Sequence, residues 1–229
     1  MSIRLLRSYL ETREKYIDFF KQLDQEGIPR DVKGHILTFI NNNVETYNLF
    51  DKDIDNIMSE LKYNKYNLSI DSYHIINYLI YIFIQKTIID SNIVMEHSRR
   101  CTMKADDVDY SLDIYTKKPS KLINKMKVAG QQITDIYEPR ESIIKTNHVN
   151  TVVRDINTDK KLAKQKYYRF TRISKDVVPY LTVALDVLVT EILKSVKKNR
   201  NTKLITADDI LLALETNNDL RTIFLELFI

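Results

Sequence analysis

Two pairs of adjacent carboxylates, four histidines and one cysteine are the residues of this sequence best equipped for chemistry. Asp106-Asp107 and Asp208-Asp209 each follow an alanine at the start of an apolar, helix-like run. Neighbours on a helix diverge by about 100°, so such a pair does not converge on one substrate. Behind Thr102 or Lys104 in one case and Thr206 in the other, the acids read as capping carboxylates that face exposed amides and the helix dipole. His35, His74, His97 and His148 show no metal-ligand spacing and read as structural. The single cysteine, Cys101, excludes a disulfide framework and a multi-thiolate zinc site and fits a reducing compartment. Its neighbourhood is basic, but nothing in the sequence requires it to be reactive. No catalytic constellation emerges, so the sequence reads as a non-enzyme with no metal, cofactor or small-molecule substrate.

The remaining chemistry is cationic. Lys and Arg exceed Asp and Glu by 35 − 31 = 4, a small excess whose distribution matters more than its size. Residues 160–175 hold seven basic residues and no acidic one, interleaved with Tyr167, Tyr168 and Phe170. A segment of this kind neutralises phosphates. A second run, Lys117, Lys118, Lys121, Lys125 and Lys127, reads as the solvated face of a helix.

The elements that must carry these residues are nearly all helical, with apolar positions recurring at three and four. The chain has 229 residues, 44% of them apolar or aromatic, enough for one large core or two small ones. Three glycines are too few for a glycine-rich phosphate cradle or a doubly wound nucleotide fold. No apolar run reaches the length of a membrane span, and Arg4, Arg7, Glu11 and Arg13 are wrong for a secretory signal. Residues 1–46 form a separate helical unit, broken at Gly27 and Pro29 and balanced in charge.

The rest repeats. Ala105-Asp106-Asp107-Val108 returns as Ala207-Asp208-Asp209-Ile210, an offset of 102 residues, and the same offset places Leu79, Phe83, Thr87 and Val94 on Leu181, Leu185, Val189 and Val196. Each copy predicts a long helix (71–98 and 174–199) between shorter ones (52–63 and 148–157 before it). A basic loop follows each long helix: Arg99–Lys104 in one copy, Arg200–Thr206 in the other. Tyr78, Ile82, Phe83, Ile89 and Ile93 read as core. A repeat too small to bury its own central helix must pair with a partner, and the other copy is the obvious one.

A short helix, a long helix and a short helix, twice in one chain, resembles the histone fold. Tyr180-Leu181-x-x-x-Leu185-Asp186-x-Leu188-x-x-Glu191-Ile192-Leu193 resembles the long helix of histone 2A without a gap. Arg172-Ile173-Ser174 before it and Leu212-Ala213-Leu214 with Asp219-Leu220 after it extend the match. The first copy resembles histone 2B through Leu68-Ser69, Asn77, Arg99-Arg100-Cys101-Thr102, and a C-terminal helix carrying Pro119, Leu122 and Gly130. Glu96-His97-Ser98-Arg99-Arg100-x-Thr102 resembles histone 4 at least as closely. The C-terminal helix favours 2B, because histone 4 lacks one and 2A pairs with 2B. A fused pair in this order is similar to the histone doublets of large DNA viruses.

The resemblance implies an all-α chain with two histone folds in an intramolecular handshake pair. Residues 1–46 would be an N-terminal helical extension, 47–137 the 2B-like fold, 138–147 a linker and 148–229 the 2A-like fold. Antiparallel long helices would set the first loop of each copy beside the second loop of the other. One basic rim would then join Lys62, Lys65 and Ser69 to Arg200, Thr202 and Lys203. The other would join Lys166, Arg169, Arg172 and Ser174 to Arg99, Arg100 and Thr102, with Arg172 the candidate for minor-groove insertion. The implied function is packaging of double-stranded viral DNA through sequence-independent phosphate contacts. The implied partner is a histone 3/histone 4-like protein or doublet, docked through Val108, Leu112, Ile114, Leu122 and Met126. The implied location is the virion and the host nucleus or viral factory. Asp186, Glu191 and Asp219 match acidic-patch positions, but Lys194, Asn217 and Asn218 replace acids there. The 2A extension that docks on the tetramer has no counterpart before Ile229. Two other functions compete: a histone-fold transcription regulator, and a virion structural protein that kept the fold without DNA binding.

Overall fold

The computed structural model describes residues 48–114, 120–134, 141–157, 172–198 and 203–228. The expected 1–46 extension, most of the basic run 160–175 with Lys166 and Arg169, and Arg200 and Thr202 lie outside these residues, as does the side chain of Ile114. The described part is all-α, with eight helices and four strands of two residues each. In chain order these are α1 (Asp51–Glu60), β1 (Asn67–Leu68), α2 (Ile70–His97), β2 (Thr102–Met103), α3 (Ala105–Ile114) and α4 (Lys121–Thr134). Then follow α5 (Thr146–Asn157), β3 (Arg172–Ile173), α6 (Val177–Lys198), β4 (Leu204–Ile205), α7 (Ala207–Thr216) and α8 (Asn218–Phe228).

Two long helices organise the core. Residues Ile75 to Gln85 of α2 are all buried, whichever side of the helix they occupy. A helix apolar on every side must be surrounded by protein. Of the expected core positions, Tyr78, Ile82 and Phe83 are buried, while Ile89 and Ile93 are partly covered. In α6 the run Leu181 to Asp186 is likewise buried. That helix starts three residues later than its periodicity suggests, because the Ser174 amide donates to the Met103 carbonyl at 2.9 Å. Pro179 falls in its first turn, where a missing N–H costs no helical bond.

The four short strands fix how the halves meet. β1 pairs in parallel with β4, Asn67 with Leu204 and Leu68 with Ile205. β2 pairs in parallel with β3, Thr102 with Arg172 and Met103 with Ile173. The loop before α2 therefore lies beside the loop after α6, and the loop after α2 beside the loop before α6. The two long helices must run in opposite senses between these junctions.

Repetition extends to single atoms. An Asp107 carboxylate oxygen accepts the Lys104 amide at 2.8 Å, and Asp209, 102 residues on, accepts the Thr206 amide at 2.6 Å. Each acid reaches back from the third position of its helix to the residue before it, satisfying an amide with no helical partner. The halves are also tied by a polar contact, His148 Nδ1 to Asp53 Oδ2 at 2.6 Å, with the Asp53 side chain fully buried. Tyr180 of α6 lies under Gly130 of α4 and donates its hydroxyl to Asp109 at 2.5 Å. Burial first, and the hydrogen bond to Asp109 second, push that phenol well above its ordinary range.

The partner contacts expected at Val108, Leu112, Leu122 and Met126 need correction. All four are buried inside this chain at 1% exposure or less, in the core formed with α4 and α6, and offer no surface to another molecule. Their apolar character serves the seating of α4.

Candidate nucleic-acid interface

The first junction brings three expected cations to one edge. Lys62 and Lys65 precede β1, Lys203 precedes β4, and all three are exposed. The Lys203 carbonyl accepts the Asn67 amide at 2.9 Å, which fixes the Lys203 backbone against the β1 loop. Ser69 does a different job from the one expected. Its hydroxyl accepts the Ser72 amide at 3.2 Å and lies 2.8 Å from the Ser72 hydroxyl, so it caps α2. Ser72 in turn donates to the Ile205 carbonyl at 2.8 Å, locking the cap to the neighbouring loop.

The second junction carries Arg99 and Arg172, both exposed, with Thr102 half-buried and paired to Arg172. Lys104 and Lys175 are exposed at the ends of the same pairing, each next to a paired residue or one removed from it. Lys175 belongs to the basic run 160–175 and could have been picked out from it; Lys104 was hidden by its reading as a cap. Arg100 requires correction. Its guanidinium pairs with Asp107, whose side chain is fully buried, so the cation is held by the fold and not left for phosphate. An ion pair of this kind is set by the need to compensate a buried carboxylate.

Local backbone geometry singles out one cation per junction. Among the described residues, Lys62 (φ 56°) and Arg99 (φ 54°) are the non-glycine residues in the left-handed region. Both terminate helices by the same pattern. The Lys62 amide donates to the Ser59 carbonyl and the Tyr63 amide to Met58. The Arg99 amide donates to the Glu96 carbonyl and the Arg100 amide to Met95. Glycine is the usual residue at this position, and a side chain there costs about 1 kcal/mol. Two helices thus end on cations where glycine would be more stable, and strain of this kind collects at functional sites.

The expected acidic patch is also reassigned. Asp186 is buried, and its two oxygens accept the Ile143 amide at 2.9 Å and the Ile144 amide at 2.8 Å. It anchors the segment leading into α5. Glu191 accepts from Asn217 Nδ2 at 3.1 Å, and Asp219 accepts from the Ser120 hydroxyl at 2.8 Å. These acids hold the chain's own polar groups together. Among the described residues no cluster of His, Cys, Asp and Glu could hold a metal ion, and no helix is long and apolar enough to cross a membrane. No protein-family model and no curated protein matches this sequence.

Proposed function

We propose that this chain is an architectural DNA-binding protein: a histone doublet in which a 2B-like and a 2A-like fold pair within one polypeptide. It packages viral DNA into nucleosome-like particles together with a histone 3/histone 4-like partner, in the virion and in the host nucleus or viral factory. The observation that carries the reading is the pair of cationic junctions, each built from the first loop of one half and the second loop of the other. Lys62, Lys65 and Lys203 line one, Arg99 and Arg172 the other. Cations at loop ends hold the phosphate backbone and carry no base code. Histone octamers bind in this way, by backbone contact and DNA deformability, with arginines inserted into the minor groove. Arg172 takes that inserting role here. With Val108 and Leu112 committed to the core, the face of α3 left for the tetramer partner centres on Tyr110, which is 63% exposed.

The test is affinity for several unrelated DNA duplexes at two salt concentrations. The proposal expects affinities within about tenfold of one another and a steep fall with salt, from counterion release. A preference of about 1000-fold for one duplex would overturn it in favour of a sequence-reading regulator.

A further inference from the structure

A concave groove of about 690 Å³ opens between α4 and α6, lined by none of the junction cations. Its floor is apolar, with Ala129 buried and Ile143 and Val187 partly so. Val128 stands on its lip with 54% of its surface exposed. Lys121, Lys125 and Lys194 surround the opening, all exposed. The acids that line it are already committed: Asp186 to two backbone amides, Glu191 to Asn217 with Lys125 at 3.9 Å. Elsewhere Lys86, Lys127 and Arg100 each meet a carboxylate. Lys121 and Lys194 have no ion-pair partner among the described residues.

We infer that this groove docks an acidic peptide segment of a partner protein, with one apolar side chain on the floor and carboxylates on the rim lysines. A cationic lip around an apolar floor is complementary to such a segment in both charge and hydropathy. The groove's volume of about 690 Å³ holds several side chains of a peptide segment, whereas the edge of a duplex presents phosphates and sugars and no apolar side chain for the floor. The first α6 residue to line the groove, Asp186, lies nine residues or about 14 Å along the helix from Val177, and Arg172 lies outside the helix in β3, so the two surfaces are separable by mutation.

The experiment uses the full chain and two charge-matched variants, Lys121→Gln/Lys194→Gln and Arg99→Ala/Arg172→Ala. Fluorescence anisotropy is read with a labelled dodecapeptide rich in Glu and Asp around a central Leu, and separately with a labelled DNA duplex. Circular dichroism checks that each variant is folded. The expected result is peptide affinity lowered about fivefold or more in the lysine variant and within about twofold of wild type in the arginine variant. DNA affinity should show the reverse pattern. Replacing the central Leu of the peptide by Ser should weaken binding to the wild-type chain as well. The inference is overturned if the wild-type chain does not bind the peptide, or if both variants weaken it equally. It is also overturned if the lysine variant lowers DNA affinity as much as the arginine variant does, which would make the groove a nucleic-acid surface. Because the peptide and DNA arms are read independently, loss of one reading leaves the other intact.

Discussion

Replacing Gly130 with alanine sets two effects of opposite sign against each other. Alanine in a helix interior is favoured over glycine by about 1 kcal/mol. Against that, a Cβ at this position would sit 2.5 and 2.7 Å from the two Cε carbons of the Tyr180 ring. Relaxed carbon contacts lie near 3.5–4.0 Å, so the ring or α4 must move by about 1 Å. The ring is poorly placed to give. Tyr180 is 1% exposed, and its hydroxyl is held by Asp109, which also takes Lys127 at 3.0 Å and Gln131 at 3.0 Å. Overpacking costs about 1–3 kcal/mol. Displacing the phenol from a carboxylate adds about 1.5–3 kcal/mol. The clash outweighs the propensity gain, and the net loss is about 3 kcal/mol. In urea denaturation that lowers the midpoint by roughly 1–2 M at unchanged slope. In a Tyr180→Leu background the same Gly130→Ala change should be close to neutral, since the obstructing ring is gone, giving a coupling energy of about 2 kcal/mol or more. A Gly130→Ala variant more stable than wild type would mean that α4 is not seated on Tyr180, and the groove between α4 and α6 would have no fixed floor.

Three further outcomes follow from the same geometry. Lys62→Gly and Arg99→Gly should each stabilise the fold by about 1 kcal/mol while weakening DNA binding; DNA affinity that does not fall would refute a phosphate role for these positions, and a loss of stability would refute the strain. Arg100→Ala should lower the urea midpoint by an amount equivalent to about 3 kcal/mol, because Asp107 is left buried without its cation, whereas Arg99→Ala should leave it unchanged. Alkaline pH should destabilise the protein through Tyr180. Its folded phenol keeps its proton above the ordinary value of 10.0, so the unfolded chain binds fewer protons there and stability falls as pH rises past 10.0. Tyr180→Phe should flatten that fall in a pH series of urea midpoints.

The helices and their pairing are largely legible in the sequence because they follow from repetition and periodicity. The offset of 102 residues aligns the capping acids Asp107 and Asp209, and both perform the same backbone contact. Apolar periodicity marks which residues leave water, but not what covers them. Val108 and Leu112 read as available to a partner because nothing in their spacing shows that α4 lies over them. Charge is ambiguous in the same way. Arg100 and Asp107 are seven residues apart across a helix end, and only the fold reveals that one neutralises the other. Asp186 reads as a surface acid by its resemblance to an acidic-patch position, yet it is buried and its two amide partners come from a segment more than 40 residues away in sequence. Ser69, a hydroxyl beside lysines, could serve a phosphate or a helix end, and the distance to Ser72 assigns it to the helix.

The proposed binding to DNA phosphates rests on the exposed cations at the two junctions. The decisive comparison is the dependence of DNA affinity on salt in wild type and in Arg99→Ala/Arg172→Ala. Each phosphate contact contributes about 0.9 to the slope of log affinity against log salt, so the double variant should lose about 1.8 from that slope on every duplex tested. A slope unchanged from wild type, in a variant that remains folded, would place the phosphate contacts somewhere other than these junctions and remove the basis of the proposal.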